Sequence, residues 1–336
     1  MEQILVSDLR KVFRRPDKGP GLKGSVRHLF ERRFTETAAV DGIDLAVSRG
    51  EAVAYVGPNG AGKSTTIKLL TGILVPTSGE VRVDGAIPHK NRIENARRIG
   101  VVFGQRTQLW WDLPVRDSLE LLRDMHGIGA AEYSATLERL VTTLGIENIL
   151  SSTARSISLG QRMRADLAAA LIHSPGTLFL DEPTAGIDPV LRRKFWDHFR
   201  DLKNQGCTIF ITTQYVSEAD NCDLVGVQNN GKLLLVDTPQ GIRHHAYGGD
   251  IVDFRTTQPF DFQAEAMLRS LSFVRAKTVR TGSNSMRIIV DQASTATPEL
   301  MGWAQQQNIE VKAVEEYTPS FEDVFVELVR PEVNHG

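Results

Sequence analysis

Gly57-Pro58-Asn59-Gly60-Ala61-Gly62-Lys63-Ser64-Thr65 is the stretch on which the reading turns. It fits the phosphate-binding loop pattern G-x-x-x-x-G-K-S/T. Ala52 to Val56 before it reads as a buried strand, and Thr65 to Leu70 after it as the first turns of a helix. A strand–loop–helix of this kind aims several backbone N–H groups at one point, at the positive end of a helix dipole. Glycines at 57, 60 and 62 let the backbone wrap around phosphate without Cβ clashes. Lys63 would reach the β- and γ-phosphates of a nucleotide, and the Ser64 hydroxyl would ligate Mg²⁺. Pro58, Asn59, Ala61 and Thr65 complete the cradle. A chance match in a chain of ordinary composition is expected about once in a hundred.

The 336 residues allow one large or two modest domains. Hydrophobic content of 41% and charged content of 24% are ordinary for a globular protein. A net charge of −2 gives no support to a nucleic-acid partner. Cys207 and Cys222 have no metal-ligand spacing and suggest no disulfide framework, which fits a reducing cytoplasm. No stretch approaches the ~20 apolar residues of a spanning helix, and the N-terminus lacks a signal segment. If the protein serves a membrane, the spanning part is expected on another chain.

Ile4 to Val6 and Val40 to Val47 read as strands ahead of the loop. Between them, at 14–36, lies a basic insertion. From Arg10 to Arg33 nine Lys/Arg stand against two acids, a local net of +7. Residues 115–150 read as mainly helical, and Thr177 to Asp181 and Cys207 to Thr212 as short buried strands. Strands alternating with helices predict a parallel sheet covered by helices. Tyr247-Gly248-Gly249 marks the expected boundary between a domain at 1–245 and a small α+β unit at 248–332. Strands near 250–256, 274–281, 285–291 and 310–316, with helices near 262–272 and 296–307, suggest a ferredoxin-like βαββαβ order. A last helix is expected from Phe321 to Val329.

Later segments narrow the chemistry. Gln105 follows the apolar strand Ile99 to Phe103, and Ser158-Leu159-Gly160-Gln161 opens a helix rich in Arg and Ala. Leu178-Phe179-Leu180-Asp181-Glu182-Pro183 delivers two carboxylates at a strand end. Ala185-Gly186-Ile187-Asp188 and then Thr212-Thr213-Gln214-Tyr215 follow. In this order the set resembles the ATPase subunit of ATP-binding-cassette (ABC) transporters over residues 1–240. The resemblance implies a P-loop NTPase fold of the α/β class, with a parallel sheet core, an antiparallel β subdomain and a helical subdomain, followed by the small C-terminal α+β domain. Asp181, with Ser64 and Gln105, would hold Mg²⁺. Glu182 would be the general base that polarises the attacking water. Ser158, Gly160 and Gln161 would grip the ATP of a second ATPase subunit across a dimer interface, and Asp188 would contact the opposite protomer. Gln105 and Gln214 are implied as γ-phosphate or water sensors. The family usually has His at 214; Gln can donate one hydrogen bond but cannot become cationic. Phe13 is the first choice for stacking on adenine, with Phe34 the rival, and Val40 is assigned to the same nucleotide contact.

The insertion, the pair Trp110-Trp111 and Ser158 to Gln161 resemble a bacterial branch of drug- and viologen-type exporters. Pro319 to Phe325 resembles the tail of the daunorubicin-resistance ATPases. The resemblance implies separate transmembrane permease subunits, a location at the cytoplasmic face of the inner membrane, and export of a small drug-like compound. The tryptophans would face the permease or pack inside the helical subdomain. The insertion would lie on the anionic inner leaflet or be a solvated loop. Rival readings are export of a lipid or polysaccharide precursor, a soluble ATPase acting on ribosomes or DNA, and a non-hydrolysing regulatory binder motivated by Gln214.

Overall fold

The computed structural model describes residues 2–16, 34–104 and 106–329, with the side chains of 276 and 277 outside that description. By its contacts the chain divides into two compact units, Met1–Val236 and Asp237–Gly336.

The first unit is built on β1 (Glu2–Pro16), β2 (Phe34–Ser48), β3 (Ala52–Val56), β4 (Ser78–Val83), β5 (Ile99–Phe103), β6 (Thr177–Asp181), β7 (Thr208–Thr213), β8 (Leu224–Asn229) and β9 (Lys232–Asp237). Its helices are α1 (Lys63–Leu70), α2 (Arg92–Arg98), α3 (Val115–His126), α4 (Ala130–Leu144), α5 (Leu159–Leu171) and α6 (Pro189–Asn204). A six-stranded sheet runs β5-β6-β7-β3-β8-β9, parallel from β5 through β8. Its central strands β3 and β7 are buried along their whole length. That two-sided burial is why they read as unbroken apolar runs rather than alternating ones. β9 returns from β8 through Asn230 and Gly231, both with positive φ, as a tight hairpin requires.

A second, antiparallel sheet runs β2-β1-β4. Here the strands outrun the expectation. β1 continues to Pro16 and pairs with β2 as far as Pro16↔Phe34. Residues 14–16 and 34–36, read as insertion from their charge, therefore extend a ladder. Residues 17–33, which carry the rest of the basic insertion, lie outside the described residues.

The second unit comprises α7 (Pro239–Tyr247), β10 (Asp250–Thr256), α8 (Phe262–Arg269), β11 (Val274–Gly282), β12 (Ser285–Val290), α9 (Ala293–Gln306), β13 (Val311–Glu316) and α10 (Phe321–Val329). The sheet order β11-β12-β10-β13 is the ferredoxin-like arrangement of a βαββαβ chain. Alternation along β10 and β12 sends Val252, Phe254, Met286, Ile288 and Val290 to one face. There they pack on Leu268, Leu300 and Trp303 from α8 and α9. α7, read from sequence as the end of the first domain, falls in this unit because it packs on α10. Arg243 of α7 lies 4.7 Å over the Phe321 ring and donates to the Pro319 carbonyl.

Candidate functional site

β3 ends at Val56, and residues 57–62 turn the chain into α1. Two glycines make the turn possible through contacts far away in sequence. A Cβ on Gly57 would lie 2.2 Å from the Gln228 carbonyl oxygen, and one on Gly62 2.2 Å from that of Ala39. Gly62 also has φ +110, which L side chains rarely adopt. Its carbonyl accepts from the amides of Thr65 and Thr66, both at 2.9 Å, which starts the helix. Pro58, Asn59 and Gly60 are exposed at the tip, and Ala61 is buried beneath it.

Lys63 opens α1 and folds back over the loop. Its Nζ donates to the carbonyls of Gly57 (2.8 Å) and Pro58 (3.2 Å). The side chain is only 4% exposed, and Glu182 Oε1 lies 3.8 Å from Nζ. Burial lowers the ammonium's pKa, while Glu182 and Asp181 pull the other way. A buried cation held mainly by loop carbonyls is the group a polyphosphate would draw on.

The carboxylates arrive on β6. Asp181 Oδ1 accepts from Ser64 Oγ at 3.1 Å and from the Thr212 hydroxyl. Glu182 comes next, at φ +52. Its N–H is shared between the Thr212 carbonyl (3.0 Å) and hydroxyl (3.2 Å). A left-handed glutamate costs about 1–3 kcal/mol and is retained where neighbours over-determine it. Gly104 closes the group from β5: its N–H donates to the Asp181 carbonyl at 2.8 Å, and a Cβ there would meet the Glu182 carbonyl at 2.5 Å. Gln105, the next residue, lies outside the described residues.

Ser64 and Asp181 offer two hard oxygen donors side by side. Among the described residues no group of three or more His, Cys, Asp or Glu side chains could hold a metal ion. Two protein oxygens suit Mg²⁺, which keeps waters and takes further ligands from phosphate, better than they suit an ion needing a full protein cage. The residues fit Mg²⁺ brought in with a nucleotide.

The other expected contacts divide. Ser158 and Gln161 bond to each other: the Ser158 hydroxyl accepts from the Gln161 amide (3.3 Å), and Gln161 Oε1 accepts from the Ser158 amide (2.9 Å). This capping box starts α5. A Cβ on Gly160 would come within 2.8 Å of Leu191 Cδ2. Asp188 caps α6, its Oδ1 accepting from Val190 and Leu191 N–H. Among the described residues no hydrogen bond joins Ser158, Gly160, Gln161 or Asp188 to loop 57–65. Gln214 is exposed just beyond β7. Phe13 is 38% exposed, with Lys11 Nζ 5.4 Å from its ring centre, and Phe34 is exposed too. Val40 is 0% exposed and packs in the core with Ile43 and Ile67. Trp110 and Trp111 are 40% and 53% exposed, rather than packed inside the helical subdomain.

Comparison with known proteins bears on this geometry. Residues 40–185 match the family model described as ABC transporter, and residues 238–329 that of the ATP-binding protein DrrA1-3-like, C-terminal domain. The chain is 34% identical over 299 residues to the daunorubicin resistance ATP-binding protein DrrA3 of Streptomyces coeruleorubidus, covering 89% of this chain and 93% of that protein. This chain belongs to the ATP-binding subunits of ABC transporters. ATP hydrolysis is the activity of that family. The probable multidrug ABC transporter ATP-binding protein YbhF of Escherichia coli (strain K12) is 36% identical over 229 residues. That match covers 68% of this chain but 39% of the relative, so this chain spans about two fifths of its length. A solved structure described as the ATP binding subunit of an ABC transporter has a TM-score of 0.61 at 25% identity, covering 72% of this chain and 92% of that one.

Three residues of this ABC subunit escaped the sequence reading. Thr212 serves both acids at once. Gln228 supplies the carbonyl against Gly57, and its Nε2 donates to Thr66 at 3.3 Å. Asp166, buried on α5, accepts from the Thr107 hydroxyl and the Gln108 amide, both at 2.8 Å. It thereby pins the segment after Gln105 to the helix that Ser158 caps. A polar residue inside the apolar run of β8 was the available signal for Gln228, whereas Asp166 stands among the arginines of α5 and gave none.

Proposed function

We propose that this chain is the ATP-hydrolysing subunit of an exporter whose membrane-spanning subunits are separate chains. The observation that carries the proposal is the meeting of Lys63, Ser64, Asp181 and Glu182 at the ends of β3 and β6. MgATP would supply the phosphoryl group, with the metal neutralising its charge. The loop 57–65 and Lys63 would cradle the phosphates, and Ser64 and Asp181 would hold the metal. Glu182 would take a proton from water as the water oxygen bonds to the γ-phosphorus and the bond to the ADP oxygen breaks. A positioned base of this kind contributes about 10²–10⁴-fold. Gln105 and Gln214 would sense the γ-phosphate, and Phe13 would stack on adenine.

We further infer that two copies close on two nucleotides, with Ser158, Gly160 and Gln161 of one facing the phosphates of the other and Asp188 at the contact. That no hydrogen bond among the described residues ties them to loop 57–65 of their own chain is in keeping with that division. On this reading the nucleotide-binding domain runs through β9 and the α+β unit is accessory. No helix among the described residues is long and apolar enough to cross a membrane. The permease would hold the chain at the cytoplasmic face, and the basic insertion would lie against the inner leaflet. The words multidrug and daunorubicin resistance in the relatives' names favour a small drug-like cargo.

The test is phosphate release by the complex of this chain with whatever membrane protein co-purifies from detergent-solubilised membranes. Glu182→Gln should lower turnover by about 10²-fold or more while ATP still binds. Turnover that survives Glu182→Gln would remove the general-base assignment. Recovery with ribosomal or DNA-associated proteins instead would remove the transport reading.

A further inference from the structure

Gln214 makes no hydrogen bond among the described residues, yet the residues on either side of it are clamped. The Thr213 hydroxyl donates to Glu218 Oε2 at 2.7 Å, and the Tyr215 amide donates to that same hydroxyl oxygen at 3.0 Å. The Glu218 amide returns a bond to the Tyr215 carbonyl at 3.0 Å. The Arg192 guanidinium, from the first turn of α6, lies 4.1 Å over the Tyr215 ring. Its Nε stands 3.6 Å from Glu218 Oε1, a carboxylate only 4% exposed. Both of these atoms are buried without a hydrogen-bond partner, so the pair is electrostatic and stands slightly too far apart to bond. Arg192 Nη2 also donates, at 3.4 Å, to the carbonyl of Ile187, the residue before Asp188.

We propose that Arg192 and Glu218 are positioning residues for Gln214, tying its posture to that of the turn at 185–188. Strand alternation explains the layout: Thr212 serves Asp181 and Glu182, Thr213 turns to Glu218, and Gln214 follows free of both. With its own amide group unbonded, Gln214 takes its place from the clamp on its two neighbours. The same guanidinium holds Ile187, so a shift of the 185–188 turn moves the support under Gln214. The catalytic part of this rests on Gln214 acting at the γ-phosphate, as proposed above; the clamp itself does not.

Three substitutions separate the contacts in the full chain. Glu218→Gln keeps the shape and the bond from Thr213 but removes the charge. Arg192→Lys keeps the charge and loses the planar stack. Tyr215→Leu keeps the ion pair and loses the ring. Amide hydrogen exchange of the nucleotide-free chain reads the clamp without any turnover, and MgATP turnover of the complex reads its effect. Exchange over 213–216 is expected to rise about tenfold in Arg192→Lys and Tyr215→Leu, with β3 and β6 unchanged. In all three kcat is expected to fall about tenfold, with KM for MgATP within about twofold of wild type. Unchanged exchange over 213–216, or faster exchange across the whole first unit together with a raised KM, would overturn the positioning role. A wild-type complex that does not turn over MgATP would count against the hydrolysis reading alone, since the exchange result still decides the clamp.

Discussion

Ser64 Oγ donates to Asp181 Oδ1 across 3.1 Å, joining side chains 117 residues apart. One is the second residue of α1 and the other the last of β6, so the pair exists only once β3 and β6 lie in one sheet. Asp181→Asn preserves size and an acceptor oxygen, and the fold should hold. What it removes is the charge that, on the proposed reading, would face the metal. Turnover should fall by about 100-fold or more. The gain in affinity for a fluorescent ATP analogue on adding Mg²⁺ should vanish, while binding in EDTA stays at the wild-type level. An undiminished Mg²⁺ effect would take Asp181 out of the metal site.

Gly57 and Gly60 belong to one loop but face different constraints. An alanine Cβ at 57 meets the Gln228 carbonyl at 2.2 Å, so β3 and β8 must move apart. At 60 it meets nothing within 4 Å, and only the φ of +83 opposes it. Gly57→Ala should cost about 2–3 kcal/mol or more as an overpacked core site. Gly60→Ala should cost about 1 kcal/mol through its backbone alone. Urea unfolding of the full chain, compared at equal slope, would separate the two; equal losses would contradict the contact.

Acid should destabilise the first unit through a histidine pair. His126 and His173 stack with ring centres 4.0 Å apart, and His173 Nε2 lies 3.0 Å from the Ile99 carbonyl. Burial first, then His126, brings His173 down to about 4, and burial with nearby Arg97 lowers His126 as well. A lowered folded pKa means the unfolded chain binds protons first. Stability is therefore complete above the ordinary value of 6.5 and drains as pH falls toward 4. His173→Gln should flatten that limb in melting curves taken across the window. Asp166 has the opposite sign. Burial pushes its carboxyl up to about 6 from an ordinary 3.8, against the bonds from Gln108 and Thr107 and the charge of Arg162. Its contribution is present at low pH and lost as pH rises through about 6, so Asp166→Asn should raise the melting temperature more at pH 8 than at pH 5.

Trp110 and Trp111 present large rings beside helix α3, with Arg162 lying 5.2 Å over Trp111. Exposed aromatic pairs of this kind act as interface anchors. Replacing both by alanine should sharply lower recovery of the membrane partner in detergent while leaving the melting curve of the isolated chain in place. Full recovery would assign the pair another role.

The parts legible in the sequence were those whose signal is local. The loop 57–65, the acids after Leu180 and the βαββαβ order of the second unit all announce themselves within a few residues. The rest depends on who meets whom. Val40 sits next to a polar neighbour in sequence, and only the pairing of β1 with β2 and the packing of Ile43 and Ile67 put it in the core. Ser158 and Gln161 are three residues apart, yet their mutual capping shows only when α5 is seen to begin there. Thr212 looks like any strand threonine until register sets it opposite Asp181. The Arg192–Glu218 pair comes from two segments, one heading a helix and one in a single turn after β7, with no pattern linking them.

Glu182 sits in a backbone region that asparagine and glycine occupy more comfortably. Under the role proposed for it, the residue that performs the chemistry is also one the fold holds in a costly backbone conformation. A library of variants screened for heat resistance alone would therefore enrich replacements at this position, and every such winner would bind nucleotide without consuming it. Directed evolution of a sturdier form needs each round gated on phosphate release, or it will select an inhibitor of its own transporter.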